Sequence, residues 1–443
     1  MNRRRFSEYS TRDLLIVALP LLLILIAGFW GASRFIRPAP PDTLVLTSGG
    51  EGGAYQRFAA LYADFLGHYG IKVIEKPSGG SIDNLARLRD SAQEVDAGFF
   101  QGGTGEPLED DALRSLGAFY YEPLWVFYRE GVAPRGGSLD QVLQLKGKRI
   151  AVGGPGSGTR YLALEILRAN GIDAANSTLV EKGGLGLVES LGKGEIDAAF
   201  VVGPTQSAAV WSLLFTDGVR LMSLAHADAY TRQLPYLSKI VLPRGAVDLS
   251  RDIPKADVTL VAATATLLVR EDTHPALIDL LMQAATETHG GAGIFHKPGD
   301  FPHAMTVNFP LSPEAERYYK SGKPFLQRYL PFWAATLVDR LVVMVIPMLA
   351  LLVPIMKFAP ALYGWRVRSR IYRRYGELKF LEAEVEADPG RHSRAEWLAR
   401  LDAIENDVNH MPTPKAFADM YYTLRGHVGL VRDTVEKRTA TVA

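Results

Sequence analysis

The sequence predicts an α/β fold of two facing lobes, flanked by two membrane-spanning helices and followed by an α-helical tail. Three observations carry that expectation. A strand–glycine–helix unit occurs twice in the middle of the chain, as a duplicated α/β module would. Two apolar stretches, one near the start and one after residue 340, match the length of a bilayer crossing. Beyond residue 366, apolar residues recur at helical spacing between charged ones.

At 443 residues the chain has room for two or three domains, and it has no cysteine, which removes disulfides and thiolate chemistry. A net charge of +1 without a basic stripe outside the membrane flanks argues against a nucleic-acid partner. The nine histidines are scattered without ligand spacing, so no metal site and no cofactor is expected. No carboxylate pair or activated nucleophile stands out, so an enzyme is not expected either.

Residues 1–13 carry Arg3, Arg4, Arg5 and Arg12 and are expected in the cytoplasm. Residues 14–31 are almost wholly apolar and read as a signal peptide or an uncleaved anchor, with Trp30 at the interface. Pro38, Pro40 and Pro41 form a stiff spacer. The first α/β unit follows. Thr43–Thr47 is a strand, Ser48-Gly49-Gly50-Glu51-Gly52-Gly53 a glycine loop, and Ala54–Tyr69 an amphipathic helix. A strand at Ile71–Glu75, the pair Gly79-Gly80, a helix from Ser81 and the segment Asp96–Phe100 complete it. The aromatic run Leu116–Tyr128 suits a strand crossing between lobes.

The second unit repeats the pattern. Ile150–Val152 is a strand, Gly153–Gly158 a tight loop, and Tyr161–Asn170 a helix that stops at Gly171. Leu179–Glu181, Gly183-Gly184, a helix to Leu191 and Asp197–Phe200 then match the first unit in order. A second crossing strand is expected at Val258–Val269. A helix opened by His274-Pro275 returns to the first lobe, and Ser312-Pro313 opens a short helix to Lys320. Lobe 1 therefore comprises residues 42–128 and 253–320, and lobe 2 residues 129–252.

Glycine loops at helix starts expose backbone N–H groups beside a partial positive charge, which suits a small carboxylate. The loop after Val152 lacks the lysine of a phosphate-binding P-loop, since Thr159 follows Gly158. Ser157 and Thr159 offer hydroxyls and Arg160 a charge; a purely structural turn is the alternative. Leu341–Tyr363 reads as a second span, and Trp365–Arg374 as its cytoplasmic flank with five arginines in nine residues. Both termini are then cytoplasmic and the lobes outside. In residues 366–443, Ser393-Arg394-Ala395-Glu396 is a capping box. The narrow apolar faces of the tail helices pack on one another, self-associate, or dock a cytoplasmic partner.

Taken together, several motifs resemble the TAXI-type solute-binding proteins of TRAP transporters over roughly Leu44–Thr288. They are Thr47–Tyr55, Gly80–Leu85, Asp96–Gln101, Tyr121-Glu122-Pro123, Leu145–Arg149, Gly156-Ser157-Gly158-Thr159 and Gly194–Phe200. The resemblance implies a two-lobed, type II-like periplasmic-binding-protein fold in the periplasm; the two spans, additions to the simple soluble form, would tether it to the bacterial inner membrane. It implies a small organic acid or amino acid as ligand, handed to a TRAP-type permease. Residue by residue, it places Gly53, Tyr55, Ser81, Asn84, Gln101 and Ser157–Thr159 around that ligand; Gly80, Gly156 and Arg160, next to them in sequence, complete the candidate site. Tyr55 and Asn84 also admit plain readings, as core packing and as a surface helix residue. The chain departs from the family at Tyr55-Gln56-Arg57, where Tyr-Tyr-Pro is usual, and at Gly102-Gly103. Arg57 is therefore a candidate partner for a second carboxylate. The same architecture also fits a ligand sensor or scaffold whose tail recruits a cytoplasmic partner.

Overall fold

The structure, a computed structural model, describes residues 11–33, 39–134 and 137–440. Of the basic N-terminal stretch, Arg3, Arg4 and Arg5 lie outside the described residues, as does Pro38 of the spacer. The chain divides into two units, residues 39–336 and the two flanking segments together.

The first helix, α1 (Thr11–Ser33), belongs to the flanking unit. The middle unit begins with β1 (Thr43–Thr47), α2 (Ala54–Gly67), β2 (Lys72–Lys76), α3 (Ser81–Arg89), β3 (Ala97–Gln101), β4 (Leu113–Ser115) and β5 (Tyr120–Arg129). It continues with β6 (Arg149–Ala151), α4 (Gly158–Ala169), β7 (Thr178–Val180), α5 (Gly186–Gly192), β8 (Ala198–Val202), α6 (Ala208–Leu214) and β9 (Val219–Leu221). After α7 (Ala227–Gln233), β10 (Ser238–Leu242) and β11 (Val258–Arg270), it closes with α8 (Pro275–His289) and α9 (Pro313–Ser321).

The strands form one continuous sheet whose main path is β2-β1-β3-β11-β5-β8-β6-β7, with β4 and β10 paired to β11 and β9 to β5. Each half is parallel: β1 lies between β2 and β3, and β6 lies between β7 and β8. The centre is antiparallel, where β11 pairs with β3 and β5, and β5 pairs with β8. The chain thus leaves the first half through β5 and returns through β11, the two crossing strands the sequence predicts. Both are apolar runs because both are buried along nearly their whole length. The lobes are accordingly halves of one sheet.

Each half closes over its own core. Leu44, Leu46, Tyr62, Leu66 and Phe99 pack with α8 in lobe 1, so α8 returns there as expected. Leu124, Ile150, Leu162, Ile166 and Phe200 form one face of lobe 2. Each such side chain, fully withdrawn from water, contributes roughly 1.5–3 kcal/mol. Caps set the helix starts: Ser157 Oγ accepts from the Arg160 amide, His274 Nδ1 from Ala276, and Ser312 Oγ from Ala315. One carboxylate in each half ties two strands together. Asp96 accepts the Val45 amide at 2.7 Å, and Asp197 accepts the Arg149 amide at 2.9 Å and both guanidinium groups of Arg129 and Arg149. Those guanidinium bonds hold the Asp197 carboxyl well below the usual range.

In the flanking unit, α10 (Phe332–Ala387) runs unbroken past Tyr363, where the sequence suggests a span end. Among the described residues, one helix, within α10, is long and apolar enough to cross a membrane; α1 carries a shorter apolar run, Leu15–Gly31. Gly28 of α1 has no side chain to keep Leu351 away; a Cβ there would sit 2.9 Å from its Cδ1. Val17 joins a cluster with Tyr363 and Val367. The tail helices α11 (Arg394–Asn409) and α12 (Ala418–Ala440) bury Trp397, Leu401, Val408, Leu424, Val428 and Val431 against Leu378, Leu381 and Val385 of α10. Of the expected uses for these apolar faces, packing on one another is the one observed. The Ser393 capping box is formed on both sides.

Candidate functional site

The loop after β6 needs glycine where the sequence suggests. Gly153 and Gly156 have φ of +92° and +76°, a region an L side chain rarely adopts. Its polar groups, however, are already engaged. Ser157 Oγ donates to the Gly154 carbonyl at 2.7 Å, Thr159 Oγ1 accepts the Val202 amide at 3.1 Å, and Arg160 pairs with Glu181 at 2.6 Å. What faces lobe 1 is a carbonyl. Gly156 O accepts the Ile82 and Asp83 amides of α3 at 3.2 and 3.4 Å, and Gly158 O accepts from Gln101 Nε2 at 3.3 Å. A Cβ on Gly79 would come within 2.8 Å of the Pro155 oxygen, and one on Gly158 within 2.2 Å of Gln101 Oε1. A Cβ on Gly80 would come within 3.2 Å of the Ser157 Cα. The first turn of α3 does bind an oxygen, as a helix N-terminus should. That oxygen is the protein's own. Gly80, Gln101, Gly156, Ser157 and Gly158, expected around a ligand, therefore meet one another in a contact between the lobes, and Thr159 is bonded within lobe 2. Arg160 is paired through Nη2 within lobe 2, and its Nη1 is buried without a partner.

Two more assignments change inside lobe 1. Asn84 is fully buried. It donates to the Ser48 and Phe99 carbonyls at 2.6 and 2.8 Å and accepts from Thr47 and Ser78 hydroxyls at 2.7 and 2.6 Å. Its amide is saturated by the protein, so both sequence readings, ligand contact and surface residue, give way to a buried pin. Ser81 Oγ accepts the Gln101 amide and bonds Thr104, again internally. Tyr55 follows its plain reading: it stacks on Phe99 at 5.1 Å and donates to Glu122 at 3.0 Å.

The space lies beside this contact. A cavity of about 800 Å³ opens between the start of α2, Glu75 of β2, the segment 204–208 after β8, Tyr120 and Tyr121 of β5, and residues 288–296 at the end of α8 and just beyond it. Walls from both lobes enclose it. Of the predicted site residues, Gly53 and Arg57 line it. Gly53 cannot be larger, because its Cβ would meet the Gly50 oxygen at 2.8 Å. Arg57 is exposed to the cavity side of α2 and, among the described residues, its side chain has no hydrogen-bond or ion-pair partner.

Sequence reasoning missed the rest of the lining. His289 is 93% buried as the last residue of α8, stacked on Tyr120 at 4.9 Å with Phe58 edge-on at 4.7 Å. Burial, with the nearby His296, pushes its pKa down to about 3, so the ring is neutral, and its Nε2 has no partner. Ser207 Oγ is also buried without a partner. Deeper in, burial pushes the Glu122 carboxyl up to about 8 against the lowering from the Tyr55 hydroxyl; Tyr120 lowers it too, from a geometry short of a formed hydrogen bond. A Gly-Pro pair directly after β8, Gly203-Pro204, is the one sequence signal that marks segment 204–208 as a turn at the sheet edge.

The model of the NMT1-like family matches residues 46–321, more than half of the chain. The chain belongs to the NMT1-like family. Among solved structures, MatC from Rhodopseudomonas palustris with bound malate is 15% identical, with a TM-score of 0.37, over 70% of this chain and 100% of that one. The alkanesulfonate-binding protein SsuA from Xanthomonas axonopodis pv. citri, bound to MOPS, is 16% identical with a TM-score of 0.34, over 56% and 74%. The regulatory domain of CcmR from Synechocystis, in complex with 2-PG, is 14% identical with a TM-score of 0.38, over 56% and 97%. At these scores the assignment to a type II periplasmic-binding-like fold rests on the family match and the strand order, not on the neighbours. The NMT1-like assignment is coarser than the TAXI resemblance of the motifs.

Proposed function

We propose that this NMT1-like protein is a membrane-anchored solute-binding protein of the TAXI type, which captures a small organic anion outside the cell for a TRAP-type permease. The observation that carries the reading is the cavity walled by both lobes, with the unpaired Arg57 on its lining. An unpaired guanidinium in a concave site has its five donors available to a carboxylate. The family match and the motif resemblance point the same way. The periplasmic placement is supported by the five arginines after the apolar stretch of α10. It is also supported by the order of contacts between α1 and α10. Gly28 meets Leu351, whereas Val17, earlier in the chain, joins the cluster of Tyr363, later in the chain. Helices packed in that order run antiparallel, as a topology with both termini on one side requires.

Thermal unfolding of the full chain in lipid nanodiscs, with dicarboxylates, keto acids and amino acids in turn, tests this. A ligand at a hundredfold its Kd stabilises by about 2.7 kcal/mol. Silence across the whole panel removes the reading.

The unbroken α10 favours a second function, a sensor or scaffold, because one stiff helix joins the apolar stretch to the tail core. Cross-linking of the tail to a cytoplasmic protein, with and without ligand, discriminates: a capture that ignores the ligand leaves the transport reading alone.

A further inference from the structure

We infer that the preferred ligand is an anion with an aromatic or bulky apolar body, larger than a four-carbon dicarboxylate. This rests on the proposed solute-binding role of the same cavity. Its volume, about 800 Å³, sits near the upper end of small-molecule sites, which run from about 300 to 1,000 Å³. A short diacid in such a space leaves most of the lining wetted. The lining is dominated by groups that gain from apolar contact: Phe58, Leu61, Tyr120, Tyr121 and Phe295. Leu61 is 45% exposed on α2, an open apolar surface at the cavity. Phe58, Tyr120 and the neutral His289 form one continuous ring cluster, with centroids 4.7–4.9 Å apart. Offset and edge contacts of that kind extend readily to one more ring. Arg57 supplies the unpaired cation on the lining from lobe 1, and the Glu75 carboxylate on the same lining accepts from Ser48 Oγ, so the charge is recognised at α2 and the body by the rings. His289 cannot supply a second positive charge near neutral pH, because burial keeps it unprotonated.

The test uses the full chain in nanodiscs and isothermal titration with 3-phenylpropionate, succinate and the neutral 3-phenylpropionamide. The expected result is that 3-phenylpropionate binds at least tenfold more tightly than either of the others. Arg57→Gln, on an exposed helix face, weakens 3-phenylpropionate at least tenfold and leaves the amide unchanged. Phe295→Leu and Leu61→Ser weaken 3-phenylpropionate and leave succinate unchanged. Two variants are used because Phe295 also packs against Trp125 and Leu61 does not carry the fold. Succinate binding as tightly as 3-phenylpropionate, unaffected by both ring-side variants, overturns the inference and leaves the solute-binding role standing. Equal binding of acid and amide overturns the role of Arg57. Binding of none of the three, nor of any member of the anion panel, overturns both.

Discussion

The corner after β1 and the corner after β6 are assembled from the same parts: a parallel strand, a glycine-rich loop, a helix, and a carboxylate that ties the strand to its neighbour. They meet different things. The loop at Gly52-Gly53 borders the cavity, and the helix it opens carries Arg57. The loop at Gly153–Gly158 presses its carbonyls onto α3 and Gln101 of the other half. A helix N-terminus accepts whatever oxygen reaches it first, and here a backbone carbonyl has the advantage of being covalently held nearby. The difference teaches that an exposed-amide motif specifies a receptor for an oxygen, not whose oxygen it will be.

The sharpest way to break this comparison is Asn84→Ala. If Asn84 is a buried pin of the first corner, the substitution removes four hydrogen bonds, two of them to the Ser48 and Phe99 carbonyls, and lowers stability by about 3 kcal/mol. Chemical denaturation of the full chain measures it. A variant as stable as the parent that has instead lost ligand affinity returns Asn84 to the binding site and undoes the distinction between the two corners.

The second prediction sets the two carboxylates against each other. Asp96 holds one backbone amide, whereas Asp197 holds one amide and two guanidinium groups. Asp197→Asn keeps the shape and discards the charge, and it should lower the thermal midpoint by about 4 °C, with Asp96→Asn giving roughly half of that. The Asp197 contribution is present above the unfolded carboxyl pKa and is lost as pH falls through the lowered folded value, so the gap between the variants narrows in acid. Equal shifts would mean that the two ties are interchangeable.

Much of the architecture was legible in the sequence, for a physical reason. β5 and β11 cross the sheet centre and are buried on both faces, so their apolar character is continuous and their boundaries visible. The duplicated units were legible because each must supply its own strand, turn and helix. The site was less so. Asn84 draws its partners from Thr47, Ser48, Ser78 and Phe99, on separate elements, and no local pattern announces such a convergence. His289 likewise meets Phe58, Phe119 and Tyr120 only after three elements pack. Arg57 was found because it breaks a motif, and Gly53 because it ends the glycine loop that carries the family resemblance; both signals are local. Whether a loop faces a void or another loop is set by the fit of two halves, which composition and spacing do not encode.

The smallest effect concerns how the first corner is fastened to the crossing strand. Tyr55, the second residue of α2, donates to Glu122 on β5, and burial holds that carboxyl protonated up to about pH 8. In the unfolded chain it ionises near 4.5. The stabilisation is therefore complete below the unfolded value and is lost as pH rises through the folded one. His289 acts in the opposite sense, since its folded pKa of about 3 lies below its ordinary 6.5, and its contribution fades only as pH falls below that ordinary value. Between pH 6.5 and 8 the imidazole is neutral folded and largely neutral unfolded, which leaves Glu122 as the group that sets the slope in lobe 1. Over that window the parent should lose on the order of 1–2 kcal/mol, and Glu122→Gln, which keeps an acceptor for Tyr55 but cannot ionise, should show a flatter profile. Denaturation midpoints at half-unit pH steps read this directly. Parallel profiles for the two proteins would mean that Glu122 is ionised in the fold, with the α2 corner held by a charge just as the β6 corner is held by Asp197.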